Sequence, residues 1–183
     1  KTTTTTLTEK MLQKKDSKSF AAGNIGYALS QAILDKGNVP VSVALEISAF
    51  QLDGLDAVSF EYGAILNLSP DHLDRYDSKE AYYASKLKIF DYAKKVLINV
   101  DDAELFKYHD HPRALTLSLE KDADIYFVNN TLHILDEAKI SFEKMLLEGK
   151  HNRYNAAFAA SLAYFAGVEV SHIEKTLQTF TGV

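Results

Sequence analysis

Residues 19–47 read SFAAGNIGYALSQAILDKGNVPVSVALEI, and the fold class turns on this stretch. Ser19 to Ala22 is a short apolar piece closed by Gly23. From Ile25 to Lys36 the apolar residues Ile25, Leu29, Ala32 and Ile33 recur at helical spacing until Gly37 stops the pattern. Val39 to Ile47 is an apolar, β-branched run broken at Ser42, as expected of a strand covered on both faces. Strand, glycine-bounded turn, helix and strand make the repeating unit of a parallel sheet with right-handed crossovers.

The same alternation extends outward. Leu7, Met11 and Leu12 predict a helix from Thr3 to Lys15, ended by Asp16 and Ser17. Tyr62 to Leu68 and Lys95 to Val100 read as further buried strands. Between them lie a polar loop, Ser69 to Asp77, and a helix from Ser78 to Tyr92 with Tyr82, Leu87, Ile89 and Phe90 as its core face. The expectation is a three-layer α/β/α domain around a mostly parallel, doubly wound sheet of phosphate-loop type. From Arg113 to Phe142 the pattern shortens to Ala114–Leu117, Asp124–Val128, Leu132–Leu135 and Ile140–Phe142. Asn129-Asn130 reads as a hairpin turn, so a small antiparallel sheet is expected over about residues 113–143. Helices over Asn152–Phe165 and Ser171–Phe180 complete the chain.

Composition excludes several function classes. The chain has 183 residues, 46% hydrophobic and 25% charged, which suits one folded domain with a sizeable core. A net charge of −5, with Lys and Arg dispersed among acids, gives no footprint for nucleic acid or an anionic membrane. No Cys is present, which removes disulfides, thiolate metal sites and a thiol nucleophile. The longest apolar run, Phe158 to Val168, is far short of the roughly 20 residues of a membrane span, and no signal-peptide shape opens the chain. A soluble, cytoplasmic, monomeric protein is expected.

Four clusters could carry chemistry. Lys1-Thr2 begins the chain before a Thr run and a helix, as at the end of a phosphate loop, where Lys neutralises phosphates and a hydroxyl binds Mg²⁺. The glycines of such a loop are absent, and an exposed terminus before a Thr-rich tract is the plainer reading. Glu46 closes a strand at the edge where open α/β sheets bind ligands, and either holds Mg²⁺ or caps the next turn. Asn67 to Tyr76 packs Asp71, His72, Asp74 and Arg75 into a loop; His72 is a metal ligand, an acid/base group or a structural residue. Asn152 and Asn155 share the first turn of a helix, where amides can read a nucleotide or Asn152 can serve as a cap.

In this order, Lys1-Thr2-Thr3, Gly23-Asn24-Ile25-Gly26, Leu45 to Leu52, Asn67 to Tyr76, Tyr83-Ala84-Ser85-Lys86, Asn99-Val100-Asp101-Asp102, His151 to Asn155 and Phe180-Thr181-Gly182 resemble the Mur ligase family. The strings Glu46 to Leu52 and Asp71 to Tyr76 are similar to the D-glutamate-adding branch, with Ala49 in place of a usual Ser. The resemblance implies a single central ATP-binding domain over 1–183, without the N-terminal UDP-binding and C-terminal domains, and inactive alone. It implies an ATP-dependent ligase that joins D-glutamate to UDP-N-acetylmuramoyl-L-alanine through an acyl phosphate in peptidoglycan synthesis. Lys1, His72 and Lys86 would be catalytic, and Lys1, Thr2, Thr3, Asn152 and Asn155 would hold ATP. Asn24, Ser48 and Gln51 would face the muramoyl substrate. Thr2 and Glu46 would hold one Mg²⁺; Glu46, His72 and Lys86, carbamylated by CO₂, would hold a second. The rival readings are another Mur-type or folylpolyglutamate ligase, and a nucleotide-binding ATPase module that ligates nothing.

Overall fold

Helix α1 (Thr2–Lys15) forms where Leu7, Met11 and Leu12 fall on one stripe, and all three are buried beside Thr4, Thr5 and Thr8. Thr is a mediocre helix former because its hydroxyl competes for backbone groups; here the Thr8 hydroxyl donates to the Thr4 carbonyl at 2.8 Å, inside the helix. A computed structural model describes residues 1–37, 41–70 and 75–183. The chain folds as two compact units, Lys1–Glu46 with Phe127–Val183, and Ile47–Tyr126.

In the first unit, β1 (Phe20–Gly23) leads through α2 (Leu29–Lys36) to β2 (Val43–Glu46), and the two strands pair in parallel with Gly23 opposite Glu46. The helix predicted from Ile25 starts only at Leu29. Gly26 has φ 95°, outside the helical region, so Ile25 belongs to the turn despite its spacing. Ala32 is fully buried while Ile33 is 56% exposed, so the predicted apolar face is narrower than its sequence suggests. The strand predicted over Val39–Ile47 is confined to Val43–Glu46, and residues 38–40 lie outside the described residues. Its burial alternates, with Ala44 and Glu46 buried and Val43 and Leu45 half-buried, instead of being covered on both faces.

The second unit contains α3 (Ala49–Asp53), β3 (Phe60–Ile65), α4 (Lys79–Leu87), α5 (Ile89–Tyr92), β4 (Ala93–Asn99), α6 (Ala103–Phe106), β5 (Ala114–Ser118) and the first two residues of β6 (Ile125–Val128). Its strands pair in parallel in the order β3, β4, β5, β6. β5 and β6 therefore extend the parallel array and correct the antiparallel pairing expected there. The predicted helix 78–92 is broken at Lys88, which ends α4 and begins α5. Val96, Leu97 and Ile98 are fully buried in β4, each worth about 1.5–3 kcal/mol of transfer free energy. Gly63 in β3 permits α5 to sit close: a Cβ there would lie 2.7 Å from Ile89 Cγ1.

The chain then returns to the first unit with β7 (Thr131–Ile134), β8 (Ala138–Ser141), α7 (Lys150–Phe165) and α8 (Val170–Leu177). Asn129, at φ 53°, and Asn130 make the predicted turn, and β7 pairs antiparallel with β8. Helix α7 packs against α1, and its Ala156, Ala157, Ala159, Ala160 and Ala163 are all fully buried. No helix among the described residues is long and apolar enough to cross a membrane.

Candidate functional site

Two strands that pair in parallel present their C-terminal ends together, and in the first unit those ends are Gly23 and Glu46. The approach is close: a Cβ on Gly23 would sit 2.2 Å from the Glu46 carbonyl oxygen, and its φ of 97° is one that side chains rarely adopt. The Asn24 N–H donates to that same carbonyl at 2.8 Å. Thus Asn24 is held beside Glu46 by backbone as well as by side chain, its Nδ2 donating to Glu46 Oε1 at 3.1 Å.

Glu46 is only 4% exposed. Lys1 Nζ stands 3.9 Å from its Oε1, a loose ion pair with the lysine half-exposed. The second oxygen, Oε2, is buried with no hydrogen-bond partner among the described residues. A buried acceptor left unmatched costs about 1–3 kcal/mol, and more when charged. An oxygen-seeking cation such as Mg²⁺ suits such an orphan oxygen, so the residues present fit the ion that the sequence implied.

Lys1 precedes α1, whose first internal hydrogen bond runs from Thr5 N to the Lys1 carbonyl at 3.0 Å. The amides of Thr2, Thr3 and Thr4 consequently have no carbonyl within the helix and form its positive end. With the Lys1 ammonium and the exposed Thr2 hydroxyl, this end can neutralise a phosphate.

Asn152 and Asn155, expected at the nucleotide, are wired to each other and to α1. Thr4 Oγ1 donates to Asn155 Oδ1 at 3.1 Å, Asn155 Nδ2 donates to Asn152 Oδ1 at 3.4 Å, and Asn152 Nδ2 donates to the Glu148 carbonyl at 2.9 Å. Between them Arg153, which composition and spacing did not single out, stacks its guanidinium 4.3 Å from the Phe127 ring centroid. It donates to Asn130 Oδ1 at 3.0 Å and to the Asn129 carbonyl at 2.9 Å.

In the second unit, Ser48 and Gln51 build a capping box on α3. Ser48 Oγ accepts from Gln51 N at 3.2 Å, and Gln51 Oε1 accepts from Ser48 N at 2.8 Å. The Ser-x-x-Gln spacing was the available signal for it. Lys86, half-buried on α4, donates to the Asn67 carbonyl at 2.8 Å with its Nζ 5.2 Å from the Tyr82 ring centroid. His72 lies outside the described residues. Among the described residues, no group of three or more His, Cys, Asp or Glu could hold a metal ion.

Residues 1–163 match the Mur ligase middle domain family. The chain is 36% identical to the UDP-N-acetylmuramoylalanine–D-glutamate ligase of Caldanaerobacter subterraneus subsp. tengcongensis and 37% identical to that of Haemophilus ducreyi. Both alignments cover the whole chain and 42% of the relative, so the chain spans less than half the length of these proteins. Among solved structures, a UDP-N-acetylmuramoyl-L-alanyl-D-glutamate–2,6-diaminopimelate ligase aligns with a TM-score of 0.80 at 22% identity, covering all of this chain and 45% of its own. The UDP-N-acetylmuramate–alanine ligase of Thermotoga maritima aligns with a TM-score of 0.69 at 20% identity, covering all of this chain and 43% of its own. These two likenesses establish the mixed α/β fold, and the whole-chain match establishes more: this protein belongs to the Mur ligase middle domain family.

Proposed function

We propose that the chain is the ATP-binding domain of a longer cytoplasmic, monomeric ligase that joins D-glutamate to UDP-N-acetylmuramoyl-L-alanine. The observation that carries this reading is the buried Glu46 carboxylate, with an orphan oxygen, beside Lys1 at the open end of α1. The similarity to D-glutamate ligases supports this reading over a folylpolyglutamate ligase or a bare ATPase module.

In this reading the substrate carboxylate attacks the γ-phosphorus of ATP, and the bond to the bridging oxygen breaks to release ADP. The amine of D-glutamate then attacks the acyl carbon, loses a proton, and expels inorganic phosphate as the amide forms. Charge neutralisation does most of the work in moving a phosphoryl group between anions. The Lys1 ammonium and the amides of Thr2 and Thr3 supply it from this chain, while the Asn152 and Asn155 amides face the nucleotide. Asn24, Ser48 and Gln51 orient the muramoyl substrate. Thr2 and Glu46 would hold one Mg²⁺, and Glu46, His72 and carbamylated Lys86 a second; bound there, the ions would offset the negative charge that develops on the phosphoryl oxygens. Carbamylation would exchange the Lys86 cation, now placed against the Asn67 carbonyl and the Tyr82 ring, for an anionic oxygen ligand.

The test is Glu46→Ala in the full-length ligase. D-glutamate-dependent phosphate release should fall at least about 100-fold, the scale of losing one preorganised electrostatic group, with the circular dichroism spectrum unchanged. Turnover within a few-fold of the parent would end the assignment.

A further inference from the structure

Three donors from two parts of the second unit, the loop before α4 and the end of α4, converge on one carboxylate. Asp53, the last residue of α3, accepts from Lys88 Nζ at 2.6 Å, from Ser85 Oγ at 2.8 Å and from Tyr76 Oη at 3.1 Å. A carboxylate can only accept, so both hydroxyls serve it as donors; the Ser85 oxygen also lies 2.9 Å from the Ala49 carbonyl and 3.1 Å from Tyr76 Oη. Ser85 is buried at 3% exposure, so its hydroxyl depends on these partners. Ser85 and Lys88 flank Lys86 on the same short stretch of helix.

A second chain of contacts leads from Tyr76 to the same lysine. The Tyr76 ring stacks on Phe50 at 5.3 Å and meets the Tyr82 ring at 5.2 Å; the face of Tyr82 carries the Lys86 ammonium. The acceptor on the other side, the Asn67 carbonyl, is held in turn by Asp102 and Asn99 on the neighbouring strand end. Asp102 accepts from Leu68 N at 3.0 Å, and Asn99 Nδ2 donates to the Leu66 carbonyl at 3.2 Å. Among the described residues, the Asn67 carbonyl and the Tyr82 ring support the flexible Lys86 side chain, and the Tyr82 support leans on the Asp53 cluster.

We propose that Asp53 is a positioning residue: by holding Tyr76, Ser85 and Lys88 at once, it fixes the Tyr82 face and the α4 turn that aim the Lys86 amine at the Asn67 carbonyl. Its importance for catalysis rests on the reading of Lys86 as a ligand, whereas its effect on Lys86 does not. A cluster serving only to join α3 to α4 would leave the reactivity of Lys86 unchanged at equal folding.

The experiment is brief acetylation of the 183-residue chain with an N-hydroxysuccinimide ester, read residue by residue by mass spectrometry, with melting followed in parallel. Asp53→Asn and, more conservatively, Tyr76→Phe should each raise Lys86 labelling by up to about fivefold, the scale of one net hydrogen bond. Lys94 and Lys107, paired with Glu61 and Glu104 elsewhere in the unit, should not change. Asp53→Glu should restore protection. Unchanged Lys86 labelling in folded Asp53→Asn and Tyr76→Phe overturns the proposal, as does a rise shared equally by Lys94 and Lys107. In the full-length ligase, Asp53→Asn should lower kcat with little change in KM for ATP. Full turnover by Lys86→Ala there would remove the ligand role of Lys86 alone, leaving the labelling result to judge Asp53.

Discussion

A carboxylate in water keeps both oxygens hydrated, and the chain departs from that in two different ways. At Glu46 one oxygen is left without a partner among the described residues; at Asp53 the carboxylate collects donors from Lys88, Ser85 and Tyr76. Burial pushes the Asp53 carboxyl upward, but the hydrogen bonds from Lys88, Ser85 and Tyr76 outweigh it and hold the group below its ordinary value. The sign of the pH effect follows. A carboxylate with a depressed folded-state pKa contributes its full stability above the unfolded value of about 3.9, and loses it as pH falls through the lower folded value. The contribution is modest, because the Asp53 side chain is 35% exposed and solvent screens the pair with Lys88. Asp53→Asn should therefore lower the melting temperature slightly near neutrality and flatten its decline between about pH 5 and about pH 3. Melting curves across that range check it; equal slopes for the two proteins would show that the Asp53 partners give it no net stabilisation.

Elements were legible where periodicity is local and illegible where partners decide. Leu7, Met11 and Leu12 placed α1 to within a residue, and Asn129-Asn130 gave the turn before β7. The direction of β5 and β6 could not be read, because parallel or antiparallel pairing depends on a neighbour and not on the strand's own residues. The helix 78–92 broke at Lys88 for a related reason: the apolar spacing continues through the break, and the packing of Ile89 against Gly63 belongs to the strand opposite. Within the β7–β8 hairpin the sequence is at odds with its own turn. Leu135 and Asp136 sit at φ 51° and 55°, with Glu137 N bonded to the Ile134 carbonyl at 2.9 Å, a two-residue turn of the kind that favours Asn-Gly. A branched apolar residue with positive φ costs about 1–2 kcal/mol. Leu135→Asn should recover about 1 kcal/mol, raising the melting temperature by about 2–4 °C in a chain of this size. A decrease would mean that the Leu135 side chain packs more favourably than its 38% exposure suggests.

At the scale of the whole molecule, the candidate site was half legible. Glu46 at a strand end and Lys1 before a helix could be named from order alone. The Asp53 cluster could not, since Asp53 and Ser85 are 32 residues apart and nothing in either segment points to the other. The division of the chain was hidden for the same reason, and it sets what each piece can do in isolation. The first unit is discontinuous: α1, from its N-terminal segment, is buried against α7 and α8, from its C-terminal one. The second unit, Ile47–Tyr126, is one continuous segment with its own core around Ile65, Tyr82, Phe90, Val96, Ile98 and Leu105. A small domain of this kind buries roughly 60% or slightly more of its unfolded surface, enough for marginal stability without disulfides or metal. Expressed alone, residues 47–126 should melt cooperatively and show dispersed amide resonances. Residues 1–46 should not, because α1 would lose its packing against α7 and the Leu7 and Met11 stripe would face water. Adding residues 127–183 in trans to 1–46 should restore helical signal. If 47–126 remains unfolded while the intact chain folds, its core is too small to stand alone, and the two units form a single cooperative structure.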